Sequence, residues 1–406
     1  MHLNGATTGL IHLDTLILFS VFAASFVAAI VIKLTHPIHG RWTGDFEDSG
    51  VQKHHQGNPP RIGLLPLLAG CGIGVYGLNT SPRIDANDAG ALLILLLLCT
   101  APAATFGLLE DVTKNVRARW RLLAPMAGVL LGVVLLGAVI PTLGIPGLNA
   151  LVQWWPAALL ITVLMVVGFT HAMNLVDGLN GLASGLALMM LGATAYAAHH
   201  VGDMPLFELC GVLAIAVLGF MAINFPRGLM FLGDGGAYFL GFILAQIWIL
   251  LLVRNPGAVS PWFVMAVAFH PTMETIYSIL RRKFLRARSR NATAPDRLHL
   301  HTLVFRRRVR PLVKQLPWAE TWVANAGAAV MVLLLAGVPI LAACARPESH
   351  WWNGFIFAVA IVLYLAQFRD MAQMRGFALL RWIKASRQRS QEAALGAASA
   401  FDGQQS

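Results

Sequence analysis

Three stretches of this sequence set carboxylates at the ends of apolar runs. Glu110-Asp111 closes the third run, Asp177 the fifth, within NLVDGLNGLASG (174–185), and Asp234 opens the eighth, within LGDGG. Acids at membrane depth are costly and default to a functional role. One acid alone reads equally well as a helix N-terminal cap, but several on one face argue for a shared site. Carboxylates without cysteine partners suit a hard cation, Mg²⁺ with Mn²⁺ as the alternative. The same loops offer phosphate partners: Lys53, Arg61, Lys114, Arg117, Arg119, Arg121 and a basic run from Arg281. Their glycines let backbone N–H groups approach an anion. Acids for a metal, bases for phosphates and glycines between them make a phosphoryl-transfer site. His54-His55, and His299 and His301 after Asp296-Arg297, lie in these loops too. Two residues apart on an extended loop, His299 and His301 share a face, which suits phosphate contact or proton handling. Zinc is the weaker reading, because further ligands at recognisable spacing are missing. His270 and Glu274, one turn apart in the ninth run, form either a buried pair or a wall of the site.

What positions these residues is a membrane scaffold. The 406 residues are 57% hydrophobic and 12% charged, against roughly 25% charged in soluble domains. Long continuous apolar runs predict helices rather than strands, since a bilayer core takes about 20 apolar residues. The expected spans are 10–33, 62–78, 89–109, 122–140, 155–173, 182–199, 206–223, 235–253, 259–279, 321–345 and 352–367. The expected fold is therefore all-α and polytopic, with about eleven transmembrane helices. Of 30 Lys and Arg residues, 27 fall in the odd-numbered loops and the C-terminal tail. The positive-inside rule then puts the N-terminus outside and the C-terminus in the cytoplasm. The net charge of +11 reads as topology and headgroup attraction, not nucleic-acid binding. Residues 1–367 form one catalytic domain with cytoplasmic loops 34–61, 110–121, 174–181, 224–234 and 281–317, and 368–406 form a tail with an amphipathic surface helix. The four cysteines read as small core residues, and a start without Lys or Arg argues against a cleaved signal peptide.

Five motifs in order resemble one family, the bacterial polyprenyl-phosphate N-acetylhexosamine-1-phosphate transferases of glycosyltransferase family 4. They are QKHHQGNPPRIG, GLLEDVTKNVRARWRLL, NLVDGLNGLASG, NFPRGLMFLGDGGAYFLGF, and PTMETIYSILRR with DRLHLHTLVFRR. The resemblance implies transfer of a sugar 1-phosphate from a UDP-sugar to undecaprenyl phosphate with release of UMP. This is the first membrane step of a cell-envelope glycan such as O-antigen or lipopolysaccharide. It implies Mg²⁺, a site facing the cytoplasm at the bacterial inner membrane, and membrane lipids as surroundings; a homodimer stays open. By motif position it makes Asp234, with Asp111, the metal ligands, and puts Glu110 and Asp111 near the lipid phosphate. Asn174, Asp177, Asn180 and Asn224 line the nucleotide side. His299 and His301, after Arg297, lie near the pyrophosphate or sugar, and Lys53, Arg61, Lys114 and Arg119 are substrate cations. Four positions depart from the pattern: Leu64 for a glycine, Glu110 for the first Asp of the pair, Asn180 for an acid and Thr302 for a histidine. A phospho-N-acetylmuramoyl-pentapeptide transferase is the runner-up.

A transporter would carry polar residues at span centres and internal repeats, and an inactive scaffold would not need acids on separate loops. The charge asymmetry is directly testable. Single cysteines introduced at 107–121 and 281–314, in a cysteine-free background, should react with an impermeant thiol reagent only from the cytoplasmic side. Reaction from the outside would dismantle the shared-site argument.

Overall fold

The computed structural model describes residues 15–45, 58–285, 298–316 and 320–372. Its helices are α1 Thr15–Thr43, α2 Leu64–Thr80, α3 Ile84–Thr113, α4 Ala118–Leu136, α5 Asn149–Gln153, α6 Trp155–Val176, α7 Leu182–His200, α8 Met204–Asn224, α9 Gly233–Arg254, α10 Pro261–Val267 and α11 Phe269–Leu285. Then come α12 Leu300–Val304, a π-helical turn Phe305–Val309, α13 Arg310–Val313, α14 Thr321–Cys344 and α15 His350–Ala372. Among the described residues no strand forms beyond one antiparallel bridge, Gly44 with Pro60. In lipid a helix satisfies its own backbone, so the apolar runs have no cheaper conformation.

The protein is an all-α, polytopic membrane protein, as expected. Each expected span has a helical counterpart, but they are not equivalent. Among the described residues nine helices are long and apolar enough to cross a membrane. The seventeen-residue α2 is about 25 Å long, short of a core of about 30 Å. The expected span 259–279 is corrected: α10 and α11 meet at a 75° bend. Pro271 lies just past the break; it has no N–H for the Val267 carbonyl and its ring crowds that carbonyl. The apolar half of the span is thus parted from the half that carries Glu274, Arg281 and Arg282. The first helix extends to Thr43, ten residues past its expected end. Of the tail, α15 takes up residues as far as Ala372, and the surface helix expected beyond lies outside the described residues.

α9 is the axis of the bundle. Its apolar window is 94% buried, against 22% for α1 and α15. It packs chiefly on α3 and α6. At the end of the bundle away from the acidic loops, Asp203 caps α8 by accepting the Leu206 N–H. Arg254, at the end of α9, donates to both Asp203 oxygens at 2.8 and 2.9 Å, and Asn255 donates at 2.9 Å. Burial pushes the Asp203 carboxyl up, but the bonds from Arg254 and Asn255 outweigh it and hold the group below the usual carboxylate range. A depressed carboxylate stabilises the fold above its unfolded pKa of about 4 and loses that contribution as pH falls through the folded value. Asp203→Asn should therefore lower stability at neutral pH by about 1–2 kcal/mol. It should also flatten the acid limb of a melting-temperature profile in detergent. An unchanged acid limb would remove Asp203 from that role.

Candidate functional site

The site forms where α3 crosses the start of α9. At Gly107 a Cβ would lie 2.7 Å from the Asp234 carbonyl oxygen and the Gly235 Cα, so the two backbones touch there. One turn further on, the Asp111 carboxylate covers the N-terminus of α9. Oδ1 accepts the Asp234 N–H at 2.9 Å and Oδ2 the Gly235 N–H at 2.8 Å. Asp111 thus caps a helix from another helix, satisfying donors that α9 cannot pair itself. Gly233 turns the chain into α9 at φ +72°, and a Cβ there would meet the Arg61 carbonyl oxygen at 2.2 Å and Asp111 Oδ2 at 2.6 Å. Only glycine fits.

Arg61 is threaded between two loops. Its N–H donates to the Thr43 carbonyl at 2.8 Å, and the neighbouring Pro60 carbonyl accepts the Phe231 N–H at 2.8 Å. The guanidinium then reaches three acids. Nη1 is 3.4 Å from Asp45 Oδ1, and Nη2 is 3.2 Å from Asp234 Oδ1 and 3.6 Å from Asp111 Oδ1. Burial alone would lower the Arg61 pKa; the fields of Asp111, Asp234, Asp45 and Asp177 overcome it and raise it. Asp177 completes the group. Burial pushes its carboxyl up to about 7, with Arg61 opposing and Asp234 adding to the rise. Four carboxylates thus face one guanidinium.

The structure brings together Arg61, Asp111, Asp177 and Asp234, and gives the remaining expected residues other surroundings. Glu110 closes the turn after α3: Oε2 accepts the Val116 N–H at 2.8 Å, and Oε1 lies 3.7 Å from Arg121 Nη1. Lys114 occupies the left-handed region at φ 55° and its Nζ donates to the Gly44 carbonyl at 3.3 Å. Arg119 is exposed, its guanidinium 5.6 Å from the Trp120 ring centroid. Asn174 is half-buried on the last turn of α6. Asn180 donates its amide to the Pro226 carbonyl at 3.0 Å, and its backbone N–H donates to Asn325 Oδ1 at 2.7 Å. Asn224 accepts the Gly181 N–H and donates to the Met230 carbonyl, both at 2.7 Å. These two amides tie the 174–181 loop to the 224–234 loop. Lys53 and Arg297, with His54, His55 and Asp296, lie outside the described residues. His299 and His301 do share a face: their rings are parallel with centroids 5.5 Å apart. A Cβ on Gly178 would sit 2.7 Å from His301 Nε2, which sets the histidines beside the Asp177 loop.

Sequence reasoning missed Asp45 because the expected first run ends at 33, well short of it; α1 continues to Thr43 and so sets this acid just past a helix end. For Glu274, the pairing with His270 is not the one that forms. Its carboxylate meets the Leu300 N–H at 2.8 Å, His299 Nδ1 at 3.2 Å and the Tyr364 hydroxyl at 3.0 Å.

Among the described residues no three His, Cys, Asp or Glu side chains form a ready-made metal cage. The donor set nevertheless fits Mg²⁺, which takes one or two carboxylates and keeps waters for phosphate oxygens. Asp177 makes no hydrogen bond through its carboxylate among the described residues, and Asp234 has an oxygen beyond the one facing Arg61. Asp111 fits less well, since backbone N–H groups take both its oxygens.

A polytopic helical protein with an acid-rich, arginine-centred site where its loops converge has counterparts. Residues 93–252 match the family described as Glycosyl transferase family 4. The chain is 29% identical over 286 residues to a probable undecaprenyl-phosphate N-acetylglucosaminyl 1-phosphate transferase of Bacillus subtilis (strain 168), covering 69% of this chain and 76% of that protein. It is 31% identical to a decaprenyl-phosphate N-acetylglucosaminephosphotransferase of Mycobacterium tuberculosis (strain H37Rv), over 60% of this chain and 64% of the relative. It is 30% identical to a phospho-N-acetylmuramoyl-pentapeptide-transferase of Geobacillus kaustophilus, over 56% of this chain and 73% of the relative. The chain belongs to glycosyl transferase family 4.

The two acids at the start of α9 should separate by experiment. Asp111→Asn turns an NH₂ toward a backbone N–H and should cost about 1–3 kcal/mol, read as a drop in melting temperature. Asp234→Asn, which leaves the cap intact and relieves crowding of carboxylates, should leave the melting temperature close to wild type. Equal losses would refute the assignment of Asp111 as the cap.

Proposed function

We propose that the protein transfers an N-acetylhexosamine 1-phosphate from a UDP-sugar to a polyprenyl phosphate, releasing UMP, at the cytoplasmic face of a bacterial inner membrane. The observation that carries this reading is the Arg61 cluster, four carboxylates around one guanidinium at the end of the bundle where the basic odd-numbered loops meet. Relatives whose names specify this chemistry support it.

In the reaction an oxygen of the lipid phosphate bonds to the sugar-bearing phosphorus of the donor. The bond from that phosphorus to the oxygen bridging to UMP breaks, and UMP leaves with the electron pair. The lipid phosphate is already ionised near neutral pH, so the barrier is charge repulsion and positioning more than proton removal. Asp234 and Asp177 would hold Mg²⁺, which supplies charge neutralisation at the phosphates when bound. Arg61 supplies a fixed positive charge on the donor or acceptor phosphate, preorganised by its backbone ties to Thr43 and by Asp45. Asp111 keeps Asp234 aimed by holding the start of α9. The paired amides Asn180 and Asn224 hold the Asp177 loop in register with the loop that leads to Asp234.

A phospho-N-acetylmuramoyl-pentapeptide donor is the second reading, favoured by the Geobacillus relative. The N-acetylglucosamine-1-phosphate relative of Bacillus matches more of this chain. The test offers a panel of UDP-sugars, including the muramoyl-pentapeptide donor, with undecaprenyl phosphate to membranes containing the protein and reads UMP and lipid-linked product. Transfer should require Mg²⁺ or Mn²⁺ and should fall by about 100-fold or more in Asp234→Ala. Turnover by that variant at the wild-type rate would sink the metal assignment; product from the muramoyl donor alone would select the second reading.

A further inference from the structure

Glu274 is a carboxylate buried to 1% exposure in the polar half of the broken span. A buried acid at membrane depth needs a reason, and this one joins three elements. Oε1 accepts the Leu300 N–H at the start of α12 and lies 3.2 Å from His299 Nδ1; Oε2 accepts the Tyr364 hydroxyl of α15. From His299 the contacts continue to His301 by ring stacking and from His301 to Gly178, the neighbour of Asp177. A contiguous chain of contacts thus runs from the last helix to the loop that carries Asp177. Stapling α12 to α11 would need only the Leu300 bond. The second oxygen, held by Tyr364, and the approach of Nδ1 serve no such purpose. Oε1 accepts the Leu300 N–H, while His299 Nδ1 stands 3.2 Å away without a hydrogen bond in this geometry. A small rotation of the ring would align it, as catalytic contacts commonly tighten when substrate binds.

We propose that Glu274, held by Tyr364, is a positioning residue for the transfer reaction: it takes up the Nδ1–H of His299, fixes the tautomer that leaves Nε2 for substrate, and so orients the His299–His301 pair on the Asp177 loop. Tyr364, a side chain of the last helix α15, thereby becomes part of the support of the site. The inference rests on the proposed transfer reaction, and the test keeps the two separable. Purified wild type, Glu274→Gln, Glu274→Asp and Tyr364→Phe are compared in detergent by two measurements. The first is carbethoxylation of His299 by diethyl pyrocarbonate, followed by peptide mass spectrometry, which requires no activity. His299 should react about threefold or more faster in Glu274→Gln and Tyr364→Phe than in wild type, with the melting temperature retained. The second is steady-state transfer. Glu274→Gln should lose about tenfold or more in kcat with KM for the UDP-sugar within about twofold, and Glu274→Asp should recover part of it. Unchanged His299 reactivity in both variants overturns the proposal, as does a fall in melting temperature with kcat and KM moving together. Should Glu274→Gln fail to fold, Tyr364→Phe, which removes one hydroxyl, decides. Should wild type transfer no sugar from any donor, the transfer reading fails and His299 reactivity still decides the positioning claim.

Discussion

The two hydrogen bonds from the start of α9 to Asp111 are the interaction on which the site depends. α9 is enclosed almost along its length, so water does not readily reach its first N–H groups, and each orphaned donor would cost a large part of a hydrogen bond. The carboxylate answers that need and complements the positive end of the helix. It has a consequence for recognition. The Gly-rich start of α9 reads from sequence as a cradle for a substrate anion, but the N–H groups of Asp234 and Gly235 are already spent on Asp111. Glycine serves there for backbone contact with α3 and for the turn at Gly233. Under the proposed reaction, positive charge for a substrate phosphate would come from side chains and a bound cation rather than from these N–H groups, and Arg61 stands at the centre.

That centre carries an excess of negative charge. Asp45, Asp111, Asp177 and Asp234 all bias Arg61 toward its charged form, and one guanidinium cannot neutralise four carboxylates. Part of the excess is relieved at Asp177, whose carboxyl burial lifts to about 7, toward its neutral form. A divalent cation entering between Asp177 and Asp234 would relieve the same excess and favour the ionised form of Asp177, because metal ligands bind deprotonated. Acid crowding, costly in the resting protein, is what makes oxygen-rich sites receptive to hard cations.

That the acids gather at one end of the bundle was legible in the sequence because it is compositional: basic residues and acids collect at the same ends of apolar runs, and each run is long enough to be recognised alone. The convergence of Arg61, Asp111, Asp177 and Asp234 followed from it. The partners of individual polar groups were not legible. Glu274 and His270 are one turn apart, and spacing suggests a pair; the actual partner, Tyr364, is 90 residues away. Asn180 meets the Pro226 carbonyl 46 residues on and Asn325 across 145. Such contacts leave no period in the sequence. The break between α10 and α11 was readable in principle from Pro271, but a continuous apolar count passes over one proline.

Asn180 shows what that gap conceals. Set against the family pattern, an amide in place of an acid reads as charge lost from the site. In the structure the amide acts as a donor, with Nδ2 on a carbonyl oxygen and the side chain buried. An ionised carboxylate at that position would bring two acceptors against an acceptor, in a place with little water to separate them. Keeping an acid there would require it to be protonated, or the 224–234 loop to sit elsewhere. That loop leads directly into Gly233 and Asp234, so the choice of amide is coupled to where Asp234 stands. The departure therefore belongs to the framework of the site, holding two loops together, more than to its charge.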